Sequence, residues 1–576
     1  MKNIRSANQL RTLLRSIDRK SYPAYKSMAG EWQFPQFLLV IDHVQGDPFA
    51  APSSLHVEIP LAKANFPADY YEKECSRIAL QDFLTRQLGE QFERYNFKAK
   101  GSGKSGLLSV SRCGQEILER SACEIKEQRL IVRFHVGFPA FGRTIQAGEL
   151  EKILFDFLPG CIENSLFFSK TDKKKLENSI FLSQDQEELR QLLRREGLVC
   201  FVANGSILPR KSGVSDLPLQ GSVPFTSPAS MEKTFFLPHR GEIKGMAIPK
   251  GITLIVGGGY HGKSTLLEAV QSGVYNHIEG DGREYVITED TAVKLRAEDG
   301  RAVRGVDISL FINDLPNKKD TTSFTTADAS GSTSQAAAVV ESMEAGTKLL
   351  LVDEDTSATN FMVRDELMQQ VISKDKEPIT PFIERIGGLY EKADISTIMV
   401  AGSSGAFFYI ADKILLMDCY RTVDITKKVK ELCKKYPEVK TGSLEFRMPD
   451  FQRIFPSFRR MEGNKRQGRR DNRHEHMKVK AYGLESFSLD KENINVRYLE
   501  QLADGEQTQA LACLLRFGLE QVIDGKKTVQ QAVRMIFDAL QRNGWESICA
   551  SYVPCGLAKP RIQELFACVN RFRGGM

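Results

Sequence analysis

Residues 252–267 read Ile-Thr-Leu-Ile-Val-Gly-Gly-Gly-Tyr-His-Gly-Lys-Ser-Thr-Leu-Leu. The first five residues predict a buried strand, and a glycine-rich turn that ends in Gly-Lys-Ser follows directly. Glycines allow successive backbone N–H groups to converge on an anion, and a helix that begins near Lys263 would add its positive N-terminal end. The stretch therefore predicts a phosphate-binding loop between a strand and a helix.

The loop chemistry assigns roles to its polar residues. Lys263 would reach the β- and γ-phosphates of a nucleotide, and the Ser264 hydroxyl would ligate Mg²⁺. The alternative is a glycine turn without chemical meaning, and the strand before the loop and the amphipathic segment after it argue against that alternative. The candidate nucleotide contacts are Gly257, Gly258, Gly259, Tyr260, His261, Gly262, Lys263, Ser264 and Thr265.

A second Gly-Lys-Ser occurs at residues 103–105. Lys98 stands where the leading glycine of a phosphate loop must be, and no apolar strand precedes it. Residues 94–112 are rich in Lys and Arg with Tyr95 and Phe97 among them, so they form a basic loop. Two interpretations stay open for this loop, namely a solvated charged surface and a contact with nucleic-acid phosphates.

The bulk properties are those of a globular protein with about three or four domains. The chain has 576 residues, of which 41% are hydrophobic and 26% charged, and its net charge of +6 is small against 79 basic and 73 acidic side chains. The eleven cysteines include no Cys-x-x-Cys pair, which indicates thiols in a reducing compartment. Neither a secretory signal nor an apolar run of about twenty residues is present, so we expect a cytoplasmic protein without membrane segments.

Composition shifts predict three domains. Residues 1–230 mix helices with short alternating strands, such as Arg129–Val136, and predict an α+β domain that ends in a Pro-, Gly- and Ser-rich stretch between Ser206 and Pro228. Residues 231–440 alternate apolar strands with helical patterns, which predicts a mostly parallel sheet in an α/β domain. The predicted strands are Ile252–Val256, Ile308–Ile312, Leu349–Val352, Thr397–Val400 and Lys413–Met417.

Residues 441–576 predict a basic segment followed by a mainly helical C-terminal domain. The segment 453–480 contains ten Lys or Arg residues, and Phe455 and Phe458 stand among them. One helix is well marked, because Thr528 and Gln531 form a capping box and Asn543-Gly544 supply a stop.

Leu349-Leu-Leu-Val-Asp353-Glu354 is an apolar strand that ends in two carboxylates. Asp353 at the strand tip would hold Mg²⁺, and Glu354 would orient and deprotonate the attacking water. In a parallel sheet both groups lie at the carboxyl edge, where the phosphate loop also lies. We therefore expect Glu354 and Lys263 to be the catalytic pair, although a solvated acidic turn is the alternative.

Ala329-Ser-Gly-Ser-Thr-Ser-Gln335 leads directly into a helical pattern between these two motifs. A helix N-terminus with free hydroxyls is a second anion site. In this position it resembles the signature motif of the ABC ATPases, which contacts the γ-phosphate held by a partner subunit. The resemblance implies that Ser330, Gly331 and Ser332 contact nucleotide, and residues 355–360 similarly resemble the D-loop of those proteins.

Longer stretches resemble a family of ABC-class ATPases that is found mainly in bacteria. The matching residues are 257–265, 273–284, 297–301, 329–335 and 353–362 in the core, and 45–50, 103–106, 208–210, 500–502 and 570–571 outside it. The resemblance implies a P-loop ABC-type core between two family-specific domains. It also implies a head-to-tail homodimer that traps two ATP molecules with Mg²⁺.

The chain departs from transporter-type ABC proteins in two loops. Asn313 is a weak candidate for their glutamine loop, and residues 401–405 (Ala-Gly-Ser-Ser-Gly) stand where they have a histidine. Ser403 or Ser404 would bond the γ-phosphate but lacks histidine's proton chemistry, so hydrolysis is expected to be slow. The interval from Lys263 to Ser330 is also short, which disfavours a transporter.

The leading hypothesis is a soluble ATPase that works as a dimer. RNA or DNA is a predicted partner through segments 94–112 and 453–480, against a solvated basic surface. The alternatives are an ATP-dependent switch or scaffold with little turnover, a nucleic-acid-binding protein gated by ATP and, least favoured, a small-molecule kinase. Phe235, Phe236 and His239 are the nearest candidates for contact with adenine.

Overall fold

The computed structural model describes residues 4–364, 377–402, 404–436, 445–457 and 476–574. It divides into two compact units, one of Met1–Asp185 with Cys549–Lys559 and the other of Gln186–Ile548 with Pro560–Met576. Within the described ranges, no helix has the length and apolar character that a membrane crossing requires.

The first unit is an α+β domain. Its strands β1–β5, β7 and β8 form one sheet in which β4 pairs antiparallel with β8 over eight residues. The elements in chain order are β1 (Arg5–Ser6), α1 (Ala7–Ser16), β2 (Gly30–Gln33), β3 (Leu38–His43), β4 (Ser53–Pro60), α2 (Leu61–Ala64), α3 (Glu74–Glu93), β5 (Leu108–Ser109), β6 (Glu116–Ile117), β7 (Cys123–Lys126), β8 (Arg129–Val136), β9 (Ala140–Phe141), β10 (Thr144–Ile145), α4 (Ala147–Glu151), α5 (Leu158–Leu166) and α6 (Lys173–Arg195).

Alternation along the strands explains how this sheet packs. In β4 the side chains of Leu55, Val57 and Ile59 are fully buried, whereas His56 and Glu58 between them are half-buried. A period of two directs alternate residues to opposite faces, so one face of the sheet packs against helices and the other carries polar groups. The predicted strand Arg129–Val136 is confirmed as β8.

The second unit contains the α/β core, whose main sheet has the order β19-β22-β23-β16-β24-β25 within the described chain. All its strands are parallel except β25 at one edge. The elements are β11 (Leu198–Ala203), β12 (Arg210–Ser212), β13 (Ser215–Pro218), β14 (Glu232–Leu237), β15 (Gly241–Pro249), β16 (Ile252–Val256), α7 (Lys263–Ser272), β17 (Asn276–His277), β18 (Val286–Thr288), β19 (Val293–Leu295), β20 (Arg301–Val306), β21 (Phe324–Ala329), α8 (Gly331–Glu344), β22 (Leu349–Asp353), α9 (Thr359–Met362), α10 (Phe382–Ala393), β23 (Ser396–Val400), β24 (Lys413–Asp418), β25 (Arg421–Asp424) and α11 (Thr426–Cys433).

The mostly parallel sheet and four of the five predicted core strands are confirmed, but the predicted strand Ile308–Ile312 is wrong. The N–H groups of Phe311 and Ile312 both donate to the Ile308 carbonyl, so this run forms a turn. Ile308 and Phe311 are fully buried in the core. A short run of apolar residues indicates only that the segment is buried, because a buried turn and a buried strand have the same apolar sequence pattern.

Among the described residues 476–574, the second unit has three α-helices and also a three-stranded antiparallel sheet that the sequence did not predict. The helical prediction is confirmed for Val529–Asn543, where Thr528 and Gln531 form the capping box. The elements are β26 (Val479–Tyr482), β27 (Ser486–Leu489), β28 (Glu492–Asn495), α12 (Gly505–Phe517), α13 (Val529–Asn543) and α14 (Ile562–Arg571).

The compact units place residues 186–230 with the α/β core, whereas composition alone predicts a boundary at 230. The reason is β11, which pairs antiparallel with both β15 and β18. Pairing of strands that are distant in sequence leaves no trace in local composition. The three-domain division at 230 and 440 stays a prediction.

Candidate nucleotide site

The phosphate loop follows β16 and ends where α7 begins at Lys263. Gly257 and Gly262 have positive φ angles of 149° and 94°, and a Cβ at Gly257 would lie 2.4 Å from the Met417 carbonyl oxygen. Only glycine fits the turn at Gly257. The Lys263 ammonium donates to the carbonyls of Gly257 and Gly258 at 2.9 and 2.8 Å. This loop therefore places the lysine charge beside its own backbone turn.

The rest of the loop is open to solvent. Gly258, Gly259 and Ser264 are exposed, and Tyr260 is completely exposed with a positive φ of 64°. His261 is half-buried because its ring contacts the turn between β24 and β25. Exposed backbone N–H groups at a helix N-terminus provide the electrostatic conditions for anion binding.

Register in the parallel sheet brings the loop and the acidic motif to one edge. Val400 of β23 is paired with Ile255 of β16 on one side and with Asp353 of β22 on the other. Strands two positions apart are separated by about 10 Å, since neighbours lie about 4.8 Å apart. The phosphate loop and Asp353 thus leave the sheet at the same level.

Asp353 and Glu354 have different partners. The Asp353 carboxylate is buried, accepts the Asp355 N–H at 3.1 Å, and lies 4.0 Å from the Lys294 ammonium. Glu354 accepts the Gly402 N–H at 2.7 Å, in the loop that follows β23. Ser403, one of the predicted γ-phosphate contacts, lies outside the described residues. Asp353 therefore lies near Lys294 of β19 on one side of β22, and Glu354 contacts the loop after β23 on the other side.

The helix α8 begins as predicted, with Ser330 as its N-cap. Ser330 is exposed and its hydroxyl accepts the Thr333 N–H at 3.5 Å, whereas the Ser332 side chain is buried. Gly331 packs against Asp299 and Ala297, and an added Cβ would lie 3.3 Å from the Asp299 carboxylate. Of the two serines, only Ser330 presents its side chain to solvent.

Gln335 connects two segments of the candidate site, and sequence reasoning did not single out its side chain. This fully buried side chain donates to Ser357 Oγ at 2.9 Å and accepts the Ala358 N–H at 2.9 Å. Ser357 in turn donates to the Asp353 carbonyl at 2.8 Å. The signature-like helix and the acidic strand are therefore connected by two side chains.

The Glu500-Gln501 pair connects the C-terminal part to the sheet edge. Glu500 forms an ion pair with Arg296 at 2.6 Å and lies 3.9 Å from Lys294. Gln271 at the end of α7 donates to the Glu500 carbonyl at 2.7 Å. Asn313, in contrast, donates its side-chain amide to the Ser309 carbonyl, so that amide stabilises a local turn.

The second Gly-Lys-Ser is a structural loop of the first unit. Its backbone N–H groups donate inside the unit, from Lys104 to the Pro48 carbonyl and from Gly106 to the Gly137 carbonyl at 2.8 and 2.9 Å. The Lys100 N–H donates to Glu149. These donors are already engaged, so the loop does not form a phosphate cradle.

The basic segment 453–480 only partly fits the predicted nucleic-acid surface. Arg453 is mostly buried and forms an ion pair with Glu344, and Phe455 is buried against Phe572 with ring centroids 6.3 Å apart. The prediction that Phe455 is exposed and stacks on nucleic-acid bases is therefore wrong. Residues 458–475, with Phe458 and most of the predicted positive charge, lie outside the described residues.

Comparison with known protein families accounts for most of the chain. A model described as ATPase of the ABC class N-terminal matches residues 7–169, and a model of the ABC ATPase P-loop domain matches residues 172–449. A model of the MRB1590 C-terminal domain matches residues 478–575. The chain belongs to the ABC-class ATPases and carries family-specific N- and C-terminal domains, and its P-loop domain is a nucleotide-binding domain.

One curated relative is the uncharacterized protein MJ1628 of Methanocaldococcus jannaschii, 33% identical over 271 residues. The match covers 44% of this chain and 58% of the relative, so the chain spans little more than half of the relative's length.

Two solved structures match part of this chain at low identity. They are cbiO1 from Clostridium perfringens, part of the ABC transporter complex cbiONQ, at 13% identity, and the ADP conformation of MJ1267, an ATP-binding cassette of an ABC transporter, at 12%. Each match covers 42% of this chain, with 94% of the former and 98% of the latter, at a TM-score of 0.25.

Proposed function

We propose that this protein binds Mg-ATP at the phosphate loop and hydrolyses it. The observation that carries the proposal is the shared register of Ile255 and Asp353 against Val400, which brings loop and carboxylates to one sheet edge. The loop amides and Lys263 bind and orient the triphosphate, and Glu354 takes a proton from the attacking water. Oε2 of Glu354 accepts the Gly402 N–H, which orients the carboxylate.

The residues present fit a magnesium ion. Asp353 and Ser264 offer a carboxylate and a hydroxyl, the oxygen ligands that Mg²⁺ prefers. The Lys294 ammonium near Asp353 balances part of the carboxylate charge. When bound, the ion would neutralise negative charge on the phosphate oxygens.

We further propose a head-to-tail homodimer in which Ser330 of a second copy meets the γ-phosphate. Support comes from the exposed Ser330 hydroxyl at the N-terminus of α8 and from the Gln335–Ser357 contact behind it. Phosphate release by the wild-type protein and by Glu354→Gln tests the hydrolysis step, and equal rates would remove Glu354 from the mechanism. Sizing of Glu354→Gln with and without ATP tests the dimer, because a variant that stays monomeric with ATP contradicts it.

A second candidate function is a switch or scaffold that binds ATP with little turnover. Two observations favour it: the loop 401–405 lacks histidine, and one Glu354 oxygen is already engaged by Gly402. Tight ATP binding combined with negligible phosphate release, also in the presence of nucleic acid, supports this candidate. Phosphate release of about 1 s⁻¹ or faster, the lower end of ordinary turnover, excludes it.

Binding of RNA or DNA remains a proposal for the first unit, either as a partner of the ATPase or gated by ATP. Phe49, Phe97 and Phe141 in its loops are 65%, 49% and 77% exposed, and Lys104 in the loop between residues 94 and 112 is exposed as well. Exposed rings beside cations suit single-stranded nucleic acid. Binding of labelled single- and double-stranded RNA in a salt series tests it, and affinity that does not fall as salt rises contradicts phosphate contacts.

A further inference from the structure

The turn between β24 and β25 contacts the phosphate loop. It consists of Cys419 and Tyr420, and the Cys419 N–H donates to His261 Nδ1 at 3.0 Å. The Tyr420 N–H donates to the His261 carbonyl at 3.2 Å. The Tyr420 ring lies against Gly262, where an added Cβ would be 3.1 Å from it. His261 therefore joins the loop to the turn through both its ring and its backbone.

Unfavourable backbone conformations are concentrated at this contact. Tyr260, Cys419 and Tyr420 have φ angles of 64°, 45° and 66°. A two-residue turn of this kind is usually formed by Asn-Gly, which adopts positive φ with little strain. Other residues are strained in this conformation, and such strain is typical of functional sites. Because Asn-Gly would form this turn with less strain, the cysteine and the tyrosine indicate that their side chains have a function.

Three potential metal ligands meet at the turn. The ligand atoms of His261, Asp418 and Cys419 all lie within 4.8 Å of one another, and Asp418 Oδ1 is 3.3 Å from His261 Nδ1. Asp418 and Cys419 are exposed and His261 is half-buried, so rotation of these side chains is not prevented by packing. Imidazole, carboxylate and thiolate are the ligands of zinc sites, and three protein ligands leave one position open.

We propose that His261, Asp418 and Cys419 form a binding site for a zinc-class divalent cation. This site is separate from the magnesium position at Ser264 and Asp353, because Mg²⁺ prefers oxygen ligands and thiolate selects softer ions. On binding, the Cys419 thiol releases its proton to solvent and a metal–sulfur bond forms. The cation ties the phosphate loop to the β24–β25 turn.

Cobalt(II) substitution in the full-length protein tests the proposal. We expect a thiolate-to-cobalt absorption band that saturates at one equivalent, that Zn²⁺ displaces, and that millimolar Mg²⁺ leaves unchanged. Competition with a chromophoric chelator gives the affinity for Zn²⁺. We expect Cys419→Ser to abolish the band and to weaken Zn²⁺ binding by more than about 100-fold, the upper end of the loss caused by removing a supporting partner.

Matched variants separate this site from other thiols and from the nucleotide. Cys433→Ser alters another partly exposed cysteine and leaves the band intact. Lys263→Ala removes the phosphate-binding lysine and all three ligands remain, so metal binding in that variant is independent of the proposed ATPase. Absence of a thiolate band in the wild-type protein, or its persistence in Cys419→Ser, overturns the proposal.

Discussion

The Gln335 side-chain amide donates to the Ser357 hydroxyl at 2.9 Å and accepts the Ala358 N–H at the same distance. One fully buried side chain on α8 therefore holds the segment that follows Asp353. Any movement of α8 has to be accommodated by the backbone of the acidic motif. The proposed contact of Ser330 with a second nucleotide would thus be connected to the hydrolytic residues of its own chain.

We predict that Gln335→Ala lowers phosphate release and leaves ATP affinity almost unchanged, since Gln335 lies behind the site. It should also destabilise the protein by about 1–3 kcal/mol, because the Ala358 N–H loses its buried partner. Isothermal titration, phosphate release and denaturant unfolding measure the three quantities. Gln335→Glu keeps the acceptor for Ala358 but loses the donor to Ser357 and buries a carboxylate, so it should also be less stable than the wild type. Turnover and stability equal to wild type in Gln335→Ala would refute the role of this contact.

The two Gly-Lys-Ser sequences provide a matched pair of lysines. We predict that Lys263→Ala weakens ATP binding by about tenfold to 100-fold, since a charge-assisted hydrogen bond contributes about 1.5–3 kcal/mol. Lys104→Ala should bind ATP like the wild type, because the backbone around Lys104 is engaged in bonds within its own loop. Titration with ATP and with ADP measures both variants. A loss of affinity in Lys104→Ala would contradict the assignment of a single phosphate loop.

A buried ion pair joins the last helix to the α/β core. Arg571 of α14 donates to Glu298, and both side chains are more than nine-tenths buried. Removing one charge leaves the other buried and unpaired, so Glu298→Gln and Arg571→Met should each cost about 3–5 kcal/mol. The double variant should lose less than the sum of the two. Urea unfolding in a double-mutant cycle measures the coupling, and additive losses would show that the pair does not interact.

The first unit should show a pH-dependent stability. Burial lowers the pKa of His56, but hydrogen bonds with Asp42 and Glu58 raise it, and the net pKa lies above the ordinary 6.5. A raised pKa stabilises the fold fully below pH 6.5, and this contribution is lost as pH rises through the folded-state pKa. We expect the melting-temperature difference between wild type and His56→Gln to be larger at pH 6 than at pH 8.5.

His135 is the control for this titration. Burial is the main cause that lowers the pKa of His135, and the positive charge of Lys104 lowers this pKa further. Its neutral form is therefore favoured in the folded state, and the wild type gains stability as pH rises from the lowered pKa to 6.5. His135→Gln should show the opposite trend, confined to the acidic side. The same pH dependence for both variants would exclude His56 as the cause.

Local pattern predicted those parts of the protein in which neighbours in sequence form the structure. The phosphate loop, the cap at Ser330 and the capping box at Thr528 depend on residues within a few positions of one another, and the sequence shows them directly. The run Ile308–Ile312 misled the prediction because burial has the same apolar signature in a turn and in a strand.

Residues that act over long sequence separations escaped prediction. Gln335 and Ser357 are 22 positions apart, and Lys294 and Gln501 are 207 apart. A buried Gln or Glu cannot be recognised from a periodic pattern in the sequence. Its role depends on a partner that only the folded chain brings close to it. The same reason explains Arg453, which belongs to a basic segment in sequence and to an ion pair with Glu344 in the structure.

The Glu500-Gln501 contacts limit how this protein can be shortened. A fragment that ends before residue 478 would deprive Arg296 of its carboxylate, the Lys294 N–H of the Gln501 side chain, and Gln271 of the Glu500 carbonyl. Lys294 lies on the strand β19, which pairs with β22, and Arg296 directly follows that strand. Gln271 lies in the last turn of the helix that begins at Lys263. Catalytic parameters from an excised core would thus describe a molecule with altered electrostatics, and full-length protein is the proper material for enzymology.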